Sequence, residues 1–129
     1  MSQDKITRLK NLIQILEKDS KELEDVLVSI CDVLNINVKA VKGSSRAREQ
    51  VEARQIFFYI VKEVIKTKAT LNNIGGVVNR DHASVIYGCK MTKDLMYSSP
   101  IFKKKVDICI EAIGLGNLSS VDFNNIPQF

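Results

Sequence analysis

Thr70-Leu-Asn-Asn-Ile-Gly-Gly-Val-Val78, followed by Asn79-Arg80-Asp81-His82-Ala83-Ser84-Val85, decides the fold of this chain. The first stretch reads as a compact helix and Asn79-Arg80 as a turn. Asp81 reads as the N-cap of a second helix over the run Ala83 to Met96, because a short acidic side chain accepts from the open N–H groups of a first turn. Two helices joined by so tight a turn make a helix-turn-helix, whose second helix offers its first-turn side chains to the major groove. Asp81, His82 and Ser84 are short polar groups suited to base edges and phosphates, and the helix dipole favours phosphate at this end. The motif therefore predicts double-stranded DNA as the partner.

Outward from that motif the pattern is helical nearly throughout, with no convincing alternating strand. A long helix is predicted from about Glu49 to Lys68, with an apolar stripe of Ala53, Phe57, Ile60, Val61 and Val64, flanked by Ile56 and Ile65. The adjacent Phe57, Phe58 and Tyr59 read as core rather than as a stacking platform. Val38 to Val41 forms a short helical turn after Asn35-Ile-Asn37. Ser98-Ser99-Pro100 opens a last helix with Pro100 at its first position. Its core side is Phe102, Val106, Cys109, Ile110 and Ile113, and Gly114-Leu-Gly116 is expected to stop it.

Near the N-terminus Ile6, Leu9, Ile13 and Leu16 form an amphipathic stripe that Leu23, Val26, Leu27 and Ile30 continue. Read as heptads with Ser20 in the seam, this stripe supports a homodimer; otherwise it folds onto its own domain. The expected organisation is an N-terminal amphipathic helix over 1–19, an all-α helix-turn-helix domain over 20–114, and an irregular tail over 115–129.

Charge is uneven. Residues 38–105 carry fourteen basic and five acidic groups, net +9, against −1 over residues 1–30 and −4 in the remainder. The middle of the chain is thus the part suited to a polyanion. Lysines that solvate helix faces explain much of this, but not Lys39, Lys42, Arg46 and Arg48, which occur with no acid between them. Arg46 and Arg48 lie in a loop rich in Ser and Gly, a reach suited to a narrow minor groove. Arg54 and Gln55 are expected to meet phosphates at the start of the long helix; alternatively Arg54 pairs with Glu49 or Asp81 and fixes the loop. Lys42, Ser84, Lys90 and Lys93 are further phosphate neighbours.

Several features recur together in one known family. Asn35-Ile-Asn-Val-Lys-Ala-Val-Lys42, Arg46-Ala-Arg48, Ala53-Arg54-Gln55, Ile74-Gly75 and Arg80-Asp81-His82-Ala83-Ser84-Val85 stand in the order found in the C-terminal DNA-binding domain (domain IV) of the bacterial replication initiator DnaA. The stretch from about Leu23 to Ile113 resembles that domain. The resemblance implies a Trp-repressor-like helical fold, with Arg46 in the minor groove and Arg48 on the backbone. It also implies sequence-specific binding in replication control or transcription. Ala83 stands where the family writes its first Thr, leaving a methyl that suits a thymine methyl. Ser84 replaces the second Thr and keeps a hydroxyl. The phosphate-cradling Gly-x-x-x-x-Gly-Lys-Ser/Thr of the initiator's nucleotide-binding module does not occur, so a stand-alone relative that binds no nucleotide is expected.

No enzymatic activity, cofactor or metal is expected. His82 is the only histidine, and Cys31, Cys89 and Cys109 are widely spaced and read as reduced core thiols. No apolar run is long enough to span a membrane and no secretory signal opens the chain, so a cytoplasmic protein is expected, associated with the nucleoid or encoded by a phage or mobile element. The rival reading is a protein-interaction adaptor that grips a partner through its N-terminal helix.

Overall fold

Asn35 and Asn37 show how short signals cut this chain into helices. A computed structural model of the protein describes the backbone of residues 22–119 and the side chains of residues 22–114. Helix α1, described over 22–34, ends where Asn35 turns left-handed at φ 57. There Ile36 N donates to Cys31 O at 2.9 Å and Asn35 N to Asp32 O at 3.2 Å, a paired C-terminal closure that asparagine tolerates better than most residues. Two residues on, Asn37 Oδ1 accepts from Lys39 N and Ala40 N and starts α2, Val38–Lys42. One asparagine closes a helix and the next opens another.

The same chemistry builds the helix-turn-helix. Thr70 Oγ1 accepts from Asn73 N to start α4, Leu71–Val77 (α3 is described below). The helix closes through Arg80 N to Gly75 O, 2.9 Å, and Asn79 N to Gly76 O, 3.2 Å, with Asn79 at φ 57. Asp81 then caps α5, His82–Ser98, its carboxylate accepting from Ser84 N at 2.9 Å. Gly75 permits this fold-back: a Cβ there would lie 2.5 Å from Arg80 O and 2.9 Å from Asp81 O, inside any tolerable contact. A single extended residue, Ser99, separates α5 from α6, Pro100–Ser119, and its hydroxyl accepts from Phe102 N.

Helix α3, Arg48–Tyr59, continues as a wider π turn, Ile60–Val64, and is the central pillar. Ala53, Ile56, Phe57, Phe58, Ile60 and Val61 are buried along it, so the aromatic pair is core as the sequence predicts. It crosses α5 at Gly88, where a Cβ would sit 2.6 Å from the Phe58 ring and 3.5 Å from Gln55 Cα. Val85, Cys89 and Thr92 complete that face of α5. Phe102, Val106, Cys109 and Ile113 of α6, with Leu23, Leu27, Ile30 and Cys31 of α1, close the core. Each large side chain here removes enough apolar surface from water to contribute roughly 1.5–3 kcal/mol.

Four expectations change. The long helix stops at Val64, not near Lys68: Ile65 N bonds Ile60 O and Thr67 N bonds Val61 O, with Lys66 left-handed at φ 55. The wider turn swings Val64 and Ile65 off the core stripe, leaving each 42% exposed. Arg48 is the first residue of α3 rather than part of the loop before it. Helix α6 runs through Gly114 and Gly116 to Ser119, since a glycine costs a helix about 1 kcal/mol but does not end it unless it turns left-handed, and no described glycine has a positive φ. Finally, Leu23, Leu27 and Ile30, the last heptad positions of the dimer seam, are 4%, 0% and 0% exposed and pack into this chain's own core. The helix over 1–19 and the remainder of that seam lie outside the described residues, as do residues 120–129 of the tail. Among the described residues no strand forms, and no helix is long and apolar enough to cross a membrane.

Candidate nucleic-acid interface

The loop between α2 and α3 and the turn between α4 and α5 are 37 residues apart in sequence and joined in space. Asn79 Nδ2 donates to Lys42 O at 3.0 Å, and Arg80 donates through one terminal nitrogen to Gly43 O at 2.7 Å. The other terminal nitrogen of Arg80 bonds Val78 O and Asn79 O, so one guanidinium clamps both ends of the junction. From beneath, Arg54 donates to Val41 O at 2.9 Å and to Ser45 O at 2.6 Å. Three side chains thus hold the carbonyls of residues 41, 42, 43 and 45. The loop backbone faces inward and Arg46, at its far end, is exposed.

Of the two sequence readings of Arg54, the one in which it fixes the loop matches this geometry, through backbone carbonyls rather than an acid. Arg54 is only 6% exposed, both its terminal nitrogens are engaged by loop carbonyls, and it pairs with neither Glu49 nor Asp81. Burial, and then the positive charge of Arg80, lowers its pKa from the ordinary arginine value. It remains a cation under the loop, bracing the segment that carries Arg46. Gln55 beside it is half-buried, its Cα and Cγ lying over Gly88 in the α3–α5 seam.

Arg48 stands at the N-terminal end of α3, where the helix dipole disfavours a cation. Its Nε donates to Glu52 at 3.0 Å while the side chain stays 89% exposed, and its terminal nitrogens make no bond among the described residues. The residue before it, Ala47, offers no side-chain cap, so the first N–H groups of α3 are left open beside Arg46 and Arg48. That is the composition of an anion-binding helix end.

At the start of α5, His82 and Ala83 are exposed and Ser84 is half-buried. Asp81 accepts from both the backbone N–H and the hydroxyl of Ser84, each at 2.9 Å, and these bonds hold its carboxyl below the usual aspartate range. The lysines divide. Lys42 reaches back to Glu24 on α1, Lys93 bonds Glu63 at 3.1 Å, and Lys90 is exposed with no ion pair among the described residues. Surface pairs of this kind contribute about 0–1 kcal/mol, so either lysine exchanges its carboxylate for another anion at small cost.

Sequence reasoning missed the buckle of Asn79 and Arg80. The available signal was an amide and a guanidinium adjacent in a two-residue turn, with Asp81 the only acid nearby and that acid already claimed as a cap. Cys31, Cys89 and Cys109 are free and buried, and burial raises each thiol's pKa, that of Cys109 to about 11. Among the described residues no group of His, Cys, Asp and Glu is gathered to hold a metal ion.

Comparison with known proteins agrees with this architecture. The family model described as the bacterial dnaA protein helix-turn-helix matches residues 23–91. The chain is 31% identical over 101 residues, 78% of its length, to a chromosomal replication initiator protein DnaA 2 of Chlamydia pneumoniae. It is 29% identical over 107 residues to the DnaA 2 of Chlamydia trachomatis serovar D, and 35% over 79 residues to the DnaA of Flavobacterium psychrophilum. These matches cover 22%, 23% and 16% of the relatives' own lengths, so the chain spans about a fifth of the proteins it matches. With α2 to α4, the buckled loop, the capped turn and the first part of α5 all inside the matched residues, the chain belongs to the bacterial DnaA helix-turn-helix family.

Proposed function

We propose that this chain binds double-stranded DNA with sequence preference, in the control of replication initiation or of transcription. Helix α5 enters the major groove and presents Asp81, His82, Ala83 and Ser84 to bases and phosphates. Arg46 enters the neighbouring minor groove. Arg48, the open N–H groups of α3, Lys90 and, after exchange of partners, Lys42 and Lys93 meet the phosphates between them. Gln55 and Arg54 serve from behind, the first in the helix seam and the second as the loop's brace. The observation that carries this reading is the pair of bonds from Asn79 and Arg80 to the carbonyls of Lys42 and Gly43, which makes the arginine loop and the start of α5 one cationic surface. The names of the relatives support a role at replication origins.

Fluorescence anisotropy with labelled duplexes, repeated at two salt concentrations, tests it. Phosphate contacts make log affinity fall with log salt by about 0.9 per neutralised phosphate, whereas a good base contact discriminates by ~1–3 kcal/mol. Arg46→Ala and His82→Ala are expected to lower both affinity and the ratio of preferred to random duplex. Lys90→Ala is expected to weaken all duplexes alike and to flatten the salt slope. An unchanged ratio in His82→Ala removes base reading from that residue, and failure of the full chain to retain any duplex at micromolar concentration ends the proposal.

A further inference from the structure

Helix α6 buries one side and leaves the other only partly polar. Phe102, Val106, Cys109 and Ile113 pack into the core, which fixes the orientation of the rest. On the outside Ile101, Lys104, Ile108 and Glu111 stand at i, i+3, i+7 and i+10, one line along the helix, and all four are exposed. Ile101 is 83% and Ile108 45% exposed, and neither joins the core. Gly114 continues the line. It is exposed, its backbone is not left-handed, and a Cβ there would meet open space. The fold of one chain does not require a glycine at that place, and it costs the helix about 1 kcal/mol.

The ion pairs of α6 avoid this line. Lys103 bonds Asp107 within the helix and Lys105 reaches Glu52 on α3, whereas Lys104 and Glu111 have no ion pair among the described residues. They cannot pair with each other, because seven residues separate them by about 10.5 Å along the axis. A second copy of the helix laid antiparallel across Ile108 removes that separation. A two-fold axis at Ile108 sets this residue against its own copy and brings Lys104 of each chain beside Glu111 of the other. The same axis lays Ile101 over the flat surface at Gly114, where a glycine lets the two helices approach. We infer that the chain forms an isologous dimer through the Ile101–Lys104–Ile108–Glu111 line of α6, with a second copy of itself as the occupant of this face. The order of charges along the line is complementary to its own reverse, which is what a two-fold contact needs. The pairing uses no residue proposed to meet DNA. On the DNA reading above, the pair addresses two half-sites related by the same two-fold.

Sedimentation equilibrium of the full chain without DNA, from micromolar to millimolar protein, tests the dimer separately from duplex binding. A reversible monomer–dimer equilibrium is expected. Lys104→Glu and Glu111→Lys each turn two attractive pairs into two repulsive ones. Each is expected to raise the dimer dissociation constant about tenfold, and the double variant Lys104→Glu/Glu111→Lys to return it to within about twofold of the parent. Ile108→Gln, which changes no charge, is expected to weaken the dimer without lowering the unfolding midpoint, since the position is exposed. Recovery in the double variant cannot arise from unfolding of the singles. A chain that stays monomeric throughout, a dimer indifferent to either single reversal, or a double variant no stronger than the singles overturns the inference and leaves DNA binding standing.

Discussion

Replacing Arg54 by methionine separates a brace from a phosphate contact. The unbranched methionine side chain fills the channel of the arginine stem but donates nothing. Val41 O, which is buried, then loses its donor, at a cost of about 1–3 kcal/mol for an unsatisfied carbonyl. Ser45 O is half exposed, so water replaces part of that bond and the loss there is about 0.5–1.5 kcal/mol. Burial already disfavours the guanidinium, as its lowered pKa records, and relief of that penalty returns a part. The net destabilisation is about 2–3 kcal/mol, a large share of the ~5–15 kcal/mol that holds a domain together. With a urea m-value of about 1.5 kcal/mol/M, the unfolding midpoint followed by far-UV circular dichroism falls by roughly 1.5–2 M. The released loop also misplaces Arg46, so duplex preference falls toward that of Arg46→Ala. A midpoint within about 0.3 M of the parent, together with a uniform loss across duplexes and a salt slope flatter by ~0.9, would refute the brace and return Arg54 to the phosphates.

The paired glycines of α4 are expected to respond in opposite directions. Gly75→Ala drives a Cβ into the backbone of Arg80 and Asp81 and destabilises by several kcal/mol, whereas Gly76→Ala meets open space and stabilises by ~0.5–1 kcal/mol in the same denaturation assay. Ala47→Asp supplies the missing cap of α3 and is expected to raise stability by about 1 kcal/mol while weakening every duplex, because the new carboxylate occupies the place proposed for a phosphate; tighter binding contradicts that placement. The Asp81 carboxyl is depressed in the folded state by its bonds to Ser84, so its contribution to stability is present above the unfolded aspartate range and is lost as pH falls through the folded value. Asp81→Asn, followed by acid titration of the unfolding midpoint, is expected to flatten that limb, and an identical acid limb removes the assignment. The three buried thiols, their pKa values raised by burial, are expected to resist iodoacetamide at pH 8 until urea unfolds the chain.

How much of this was legible beforehand follows from the range over which each signal acts. Caps and closures are local: Asn37, Thr70, Asp81 and the Ser99-Pro100 pair each bond within three or four residues, so the start of every helix from α2 on except α3 could be read from side chains in sequence. Apolar periodicity found the core of α1, α3 and α6 for the same reason. The ends were harder. The π turn at Ile60–Val64 has no glycine or proline to mark it, and one extra residue in the turn is enough to move Val64 and Ile65 from core to surface. Gly114 and Gly116 carry a stop signal that needs a left-handed backbone to act, and the helix continues through them.

The interface divides in the same way, and the division explains why charge alone misassigns an arginine. Arg46, Arg48, Arg54 and Arg80 look alike in a count of basic residues, and all four lie near one surface. Two point outward and two point inward. Whether a guanidinium meets solvent or protein depends on whether unpaired carbonyls lie within its reach. An irregular loop such as 43–47 supplies those carbonyls because its backbone makes few ladder bonds of its own. Arg54 sits on the buried side of α3, directly beneath that loop, and Arg80 sits beside it after the α4 closure, so both are drawn to carbonyls that would otherwise be unsatisfied. Arg46 is within the loop and Arg48 at the exposed first turn of α3, so neither has such a partner, and Arg48 takes only Glu52 through one nitrogen. The loop's need for donors thus selects which cations remain for a polyanion. It also makes the outward pair dependent on the inward pair: without the bonds of Arg54 and Arg80 the carbonyls of Val41, Gly43 and Ser45 are left to water and there is no single place to hold Arg46.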